Sequence, residues 1–140
     1  MPEAFLVNID VPDIERGQLF YEQALGFERS RLLFDGTVAE MVRGGMKIYL
    51  LPNEQGSPAV GGAIPRDYAD HWTPIHLDFA VRDLEAAVER AIGAGARVSS
   101  EVRSYPWGDI AVLRDPFGHG FCLIEFHGPP YDGVVVTAGN

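Results

Sequence analysis

The sequence predicts an α+β protein built from two tandem βαβββ modules. Three observations carry this. First, the chain is written twice: LVNIDVPDIERGQLFYEQALG at 6–26 and HLDFAVRDLEAAVERAIGAG at 76–95 follow one plan. Val11, Asp13, Ile14 and Glu15 are answered by Val81, Asp83, Leu84 and Glu85, an offset of 70 that slips to 69 by Gly26 and Gly95. Second, each copy opens on period-two alternation, turns at an acid into a helical stripe and stops at glycine. Third, three short strand-like runs follow each helix. A duplicated strand–helix unit in a chain of 140 residues implies two comparable half-sites.

In the first module, AFLVNIDV at 4–11 alternates Leu6, Asn8 and Asp10 against Val7, Ile9 and Val11, the pattern of a half-buried strand. Asp13 is placed to cap the next helix. Ile14, Tyr21, Ala24 and Leu25 form its buried stripe, and Gly26 ends it. Strands are expected near 28–34, 37–43 and 46–51, separated by the turn signals Asp35-Gly36 and Gly44-Gly45. Residues 52–74 are rich in glycine and proline and read as a linker, with a short turn of helix around Asp67–His71. The second module spans 75–127. His76, Asp78 and Ala80 alternate with Leu77, Phe79 and Val81. The stripe Leu84, Ala87, Val88, Ala91 and Ile92 then runs to Gly93 and Gly95. Strands are expected near 97–102, 109–114 and 120–126, with a turn at Asp115-Pro116-Phe117-Gly118. The tail, 128–140, is irregular and offers Tyr131 or the Val134–Val136 run to a partner.

Composition bounds the function. Hydrophobic residues make up 46% and charged residues 22%, as in ordinary globular proteins. The net charge is −9 and the eleven basic residues are scattered, which argues against a nucleic-acid partner. The acidity is that of a solvated surface or, in a sharper reading, of a cleft for cationic or metal-bearing ligands. No apolar run reaches bilayer length, and the N-terminus has no basic-then-apolar leader pattern. A single cysteine, Cys122, rules out an internal disulfide and fits a cytoplasmic setting.

The doubled plan resembles the vicinal oxygen chelate superfamily, which includes glyoxalase I, extradiol dioxygenases, fosfomycin-resistance proteins and bleomycin-binding proteins. DIERGQLFYEQALGF resembles the first helix of that group, AVRDLEAAVERAIGAGARV the second, and WGDIAVLRDPFGHGFCLIEF the closing hairpin. The resemblance covers about residues 4–127. It implies a cup-shaped mixed sheet (the glyoxalase/bleomycin resistance/dioxygenase fold), a homodimer, and metal-ligand positions at Leu6, Tyr49, His76 and Cys122. Only His76 is a ligand of the family type. A resident divalent metal is therefore not expected, although Cys122 as thiolate and Tyr49 as phenolate are conceivable donors. An iron site of two histidines and a carboxylate cannot be assembled from these positions.

The candidate catalytic residue is His76, as base or hydrogen-bonding group. A histidine that merely bonds a neighbour is the competing reading. Candidate ligand-binding residues are Asn8, Asp10, Tyr49, Asp78, Trp107 and Cys122. Asp10 and Asp78 are read as counterparts on the two wet strand faces, with Asp78 orienting His76. Polar residues there also need no purpose, since such a face is solvated anyway. Trp107 is read by resemblance as an aromatic ligand contact, or else as packing on the Pro106 turn. Cys122 also reads as a small core residue. His71, Trp72, His119 and His127 read as structural or surface.

Three functions remain open. One is a metal-free protein binding a small organic molecule in the cleft between the modules. Another is a glyoxalase-type lyase or isomerase using His76. The third is a non-catalytic subunit with a vestigial cleft.

Overall fold

The computed structural model describes residues 2–136. The chain forms two compact units that divide between Ala69 and Asp70. In the first, β1 (Val7–Val11) leads to α1 (Ile14–Leu25), then β2 (Glu28–Leu33), β3 (Val38–Arg43) and β4 (Met46–Pro52). In the second, β5 (Leu77–Ala80) leads to α2 (Leu84–Gly93), then β6 (Arg97–Tyr105), β7 (Gly108–Arg114) and β8 (Gly120–Phe126). The sheet orders are β1-β4-β3-β2 and β5-β8-β7-β6, the same topology twice. Two tandem βαβββ modules are therefore present as the sequence predicts.

Both helices start by one device. The Asp13 carboxylate accepts from the Arg16 amide at 3.1 Å, and that of Asp83 from the Ala86 amide at 3.1 Å. Each holds one otherwise orphaned N–H of the first turn. Gly26 ends α1 in the left-handed conformation, φ 73°. The second helix ends through Ala94, and Gly95, φ 115°, makes the corresponding break. At the crowded middle of α1, a Cβ on Gly17 would lie 3.1 Å from Val11 and 3.3 Å from Leu50. Glycine here lets the helix approach β1 and β4 closely, which fixes the odd-numbered face of β1 as the helix side.

The core follows the alternation with adjustments. Ile9, Phe79 and Leu84 are buried, whereas Val7, Leu77 and Val88 are half-buried. Ile92, expected in the core, is 49% exposed. The buried line of α2 is Leu84, Ala87 and Ala91. It falls one position short of Ile92, which stands on the last turn of a short helix. Ile14 is likewise only half-buried, and Gly17 and Phe20 join the stripe of α1. The expected helical turn near Asp67–His71 is absent. The Asp67 carboxylate takes the Ala69 amide at 2.9 Å, a local bond that competes with helix initiation. His71 instead forms a bridge with His119. In the tail, Asp132–Val134 form a single 3-10 turn. Tyr131 packs on its own chain, against Trp107 and Phe126. Residues 137–140 of the predicted tail lie outside the described residues.

The face of the first sheet opposite α1 carries a polar row. Strand pairing aligns Asn8 with Tyr49, Tyr49 with Glu40 and Glu40 with Arg31. Glu40 is buried at the centre of β3. It accepts from Arg31 at 2.9 and 2.7 Å and from the Tyr49 hydroxyl at 2.8 Å. Those donors, Arg31 foremost, hold its carboxyl down at about 2 against the opposing effect of burial.

The folded pKa of Glu40 lies below its unfolded value, so its stabilisation is complete above that unfolded value. It is lost as pH falls toward about 2. Urea midpoints measured from pH 6 to pH 2 are expected to fall more steeply for the wild type than for Glu40→Gln. Parallel curves would refute this role.

Candidate functional site

The second unit repeats the polar row with different chemistry. Parallel pairing aligns Asp78 with Cys122, and antiparallel pairing aligns Cys122 with Val112. Asp78, Cys122 and Val112 therefore share one face. The adjacent residues of β8 face α2: the Glu125 carboxylate accepts from the Leu84 amide at the helix start, at 3.0 Å. The alternation thus sends Glu125 away from Cys122, as period two requires.

His76 lies immediately before β5, and its Nε2 is 3.2 Å from Asp78 Oδ1. Their side chains are 36% and 41% exposed, so the pair is open to a ligand. Cys122 lies buried beside them. Burial, and then the neighbouring Asp78 carboxylate, push its thiol up to about 12. At neutral pH Cys122 is a thiol that hydrogen-bonds Asp78. It is not a nucleophilic thiolate.

Donor atoms of His76, Asp78 and Cys122 lie within 4.8 Å of one another. Asp78 thus adds a donor that the sequence pattern did not count. A nitrogen, an oxygen and a sulfur are a set that suits zinc. Such an ion would have to displace the Cys122 proton and compete with His76 for Asp78.

The other candidate residues have their own places. The counterpart of Asp78 in the first unit is Asn8, which pairs with Tyr49 as Asp78 does with Cys122. This corrects the matching of Asp10 with Asp78. Asp10 is held by Arg66 at 2.7 Å and by Asn53 at 2.9 Å. Both partners come from the segment that reads as a linker. Tyr49 is committed to Glu40, whose carboxylate raises the phenol pKa. Trp107 stacks on Tyr105 at 5.3 Å, and Phe126 and Tyr131 lie against it. This cover comes from its own chain. Leu6 is exposed and has no ligating atom.

The aromatic group beside His76 is Trp72, with ring centres 4.7 Å apart. Trp72 reads as a surface residue in the sequence because it falls in an irregular stretch. The one available signal is its position four residues before His76. Asp115, which opens the turn expected from the sequence, is fully buried between β7 and β8. Its carboxylate accepts from the amides of Phe117 at 2.8 Å and His119 at 3.0 Å. These bonds shape the turn that brings β8 back beneath His76. His71 and His119 also meet, Nε2 to Nδ1, at 2.8 Å. A second group, Asp109, Glu125 and His127, has donor atoms within 4.8 Å. It belongs to the opposite face, where Glu125 already holds the start of α2.

A family model for a glyoxalase-like domain matches residues 6–124. An uncharacterised protein of Mycobacterium tuberculosis strain H37Rv is 40% identical over 52 residues, 36% of this chain and 31% of that protein. The anthracycline biosynthesis protein DnrV of Streptomyces peucetius is 42% identical over 70 residues, 50% of this chain and 23% of that protein. The matches thus span a third or less of these curated relatives. Among solved structures, the hypothetical protein SA1046 of S. aureus has a TM-score of 0.66 at 21% identity, covering 89% of this chain and 98% of that one. The fosfomycin resistance protein FosX of Listeria monocytogenes has a TM-score of 0.67 at 15% identity, covering 89% and 93%. Both share the fold.

The environment of Cys122 predicts its reactivity. With the pKa near 12, thiolate at pH 8 is scarce, and modification by a disulfide reagent should run at least about a hundredfold slower than for the unfolded chain. Asp78→Asn should speed it. Equal rates in folded and unfolded protein would contradict the assignment.

The duplicated strands, the glycine-terminated helices, the Asp-Pro-x-Gly turn and the family match agree. The chain belongs to the glyoxalase-like domain family.

Proposed function

We propose that the second unit binds a small organic molecule on the face that carries His76, Asp78 and Cys122, without a resident metal. The carrying observation is the open His76–Asp78 pair at 3.2 Å, with Trp72 alongside and an uncharged thiol beneath. Asp78 orients the imidazole, and Trp72 supplies an aromatic wall. Asp78 and Cys122 already satisfy one another, which supports a site that works without a cation. A relative named for anthracycline biosynthesis and a structural neighbour named for fosfomycin resistance favour small organic ligands.

The same pair favours a second reading, a lyase or isomerase of the glyoxalase type. There His76 takes a proton from a bound substrate and Asp78 stabilises the imidazolium. The two readings differ in turnover and share the residues. A cytoplasmic homodimer is part of the proposal. The long, exposed outer strand β6, with Val98 and Val102 uncovered, supports pairing with a second copy.

Elemental analysis of untreated protein is expected to show well under one zinc, nickel, manganese or iron per chain. His76→Ala should weaken binding of a retained or screened ligand at least about tenfold and leave unfolding within about 0.5 kcal/mol, as for most exposed sites. A stoichiometric metal that His76→Ala removes would overturn the metal-free reading. Light scattering at micromolar concentration is expected to give the mass of a dimer, and a monomer mass would refute that part.

A further inference from the structure

Arg114 closes β7 on the same face as Val112 and Cys122. Its guanidinium lies 5.0 Å from the centre of the Trp72 ring. Two of its nitrogens, Nε and Nη1, are sealed from solvent with no hydrogen-bond partner among the described residues. A desolvated guanidinium with idle donors is unfavourable, and a cation–π contact offsets only part of that cost. The arrangement depends on Gly120, the strand partner of Arg114. A Cβ there would fall 2.6 Å from Arg114 Nη1 and collide with Cε3 and Cζ3 of the Trp72 ring. Bare backbone at 120 makes the slot in which the guanidinium and the indole lie together.

Arg114 and Trp72 line a pocket of about 380 Å³ with Arg103, Ser100, Tyr105 and Val112 among its walls. Arg103 pairs with Ile110 and Ser100 with Val112 across β6 and β7, with irregular register between them. That irregularity brings Ser99 as well as Ser100 to the pocket. No Asp or Glu lines it among the described residues. In a chain of net charge −9, two arginines without an acidic partner in one pocket are a local reversal of sign.

We infer that this pocket binds the oxyanion end of a small organic acid, a carboxylate or a phosphate, whose body lies along Trp72 toward His76. The inference rests on the small-molecule reading of His76 and names the class of ligand. The planar fork of Arg114 matches two oxygens of either group. Arg103 adds charge, and the serine hydroxyls add donors. Trp72 covers the fork. It is 44% exposed and sits on an irregular run, so an arriving anion reaches the sealed donors by shifting the indole. Its sign is opposite to that of the cationic ligand that the net acidity offers as an alternative to a plain solvated surface.

The test titrates the full chain with benzoate, phenyl phosphate, benzyltrimethylammonium and benzyl alcohol, read by calorimetry and tryptophan fluorescence. At least one of the two anions is expected to bind and shift the emission. Their relative affinities distinguish a carboxylate from a phosphate ligand. The cation and the alcohol should bind at least tenfold more weakly. Arg114→Met should weaken the anion at least tenfold and raise the melting temperature of the ligand-free protein, because it removes two sealed donors that have no partner among the described residues. Failure of both anions to bind, equal binding of the cation, or Arg114→Met that keeps anion affinity would overturn the inference. So would a fall in melting temperature, which marks Arg114 as structural. If His76→Ala weakens a ligand and Arg114→Met does not, the His76 reading stands and this one fails. If anions need Arg114 and ignore His76, the pocket stands and the reading at His76 falls.

Discussion

Each unit depends on the parallel pairing of its first strand with its last. A parallel pair needs a long connection, and here the connection holds a helix and two further strands. The helix seals one face, so the other is left for chemistry. Pairing also sets which residues meet there. Asn8 meets Tyr49 in one unit and Asp78 meets Cys122 in the other. A slip of one residue in either strand would turn His76 and Asp78 toward the helix.

The two units have put that common frame to different uses. In the first, Glu40 lies at the centre of the face and draws Arg31 and Tyr49 onto itself. Its charge is buried but matched, so the row is a closed structural network. In the second, the position of Glu40 is taken by Val112 and that of Tyr49 by Cys122. Nothing there engages a charge so fully. His76 and Asp78 stay open, and Arg114 keeps donors idle. The asymmetry matters for function, because a satisfied network gives a ligand nothing to exchange.

Much of the fold was legible because it rests on local rules. Alternation, the Asp caps, Gly26 and Gly95, and the Asp115 turn are all written in neighbouring residues. So was the face of His76, Asp78 and Cys122, since period two determines it. Other features required long-range knowledge. The partnership of Glu40 with Arg31 and Tyr49 joins three strands, and nothing local marks a Glu within VAEMVR as buried. Asp10 reads as a free cleft acid until Arg66, far along the chain, is seen to hold it. Trp72 and Arg114 each look ordinary alone. Their meaning comes from Gly120, which reads only as the first residue of a strand until the indole is found against it.

Net charge is a coarse guide to a ligand for a related reason. It is a sum over the surface, whereas a ligand responds to the few groups within a Debye length and to their desolvation. Three acids on the strand faces are answered locally. Asp10 faces Arg66, Glu40 faces Arg31, and Asp78 faces His76 and Cys122. On β6, Arg97 is answered by Asp70, but Arg103 and Arg114 share a pocket with no acid among its described lining residues. Burial then decides which imbalance matters. An exposed unpaired acid is solvated at little cost, but the sealed nitrogens of Arg114 have neither water nor a carboxylate. The anionic ligand proposed above therefore rests on those two nitrogens and not on the total charge of the chain.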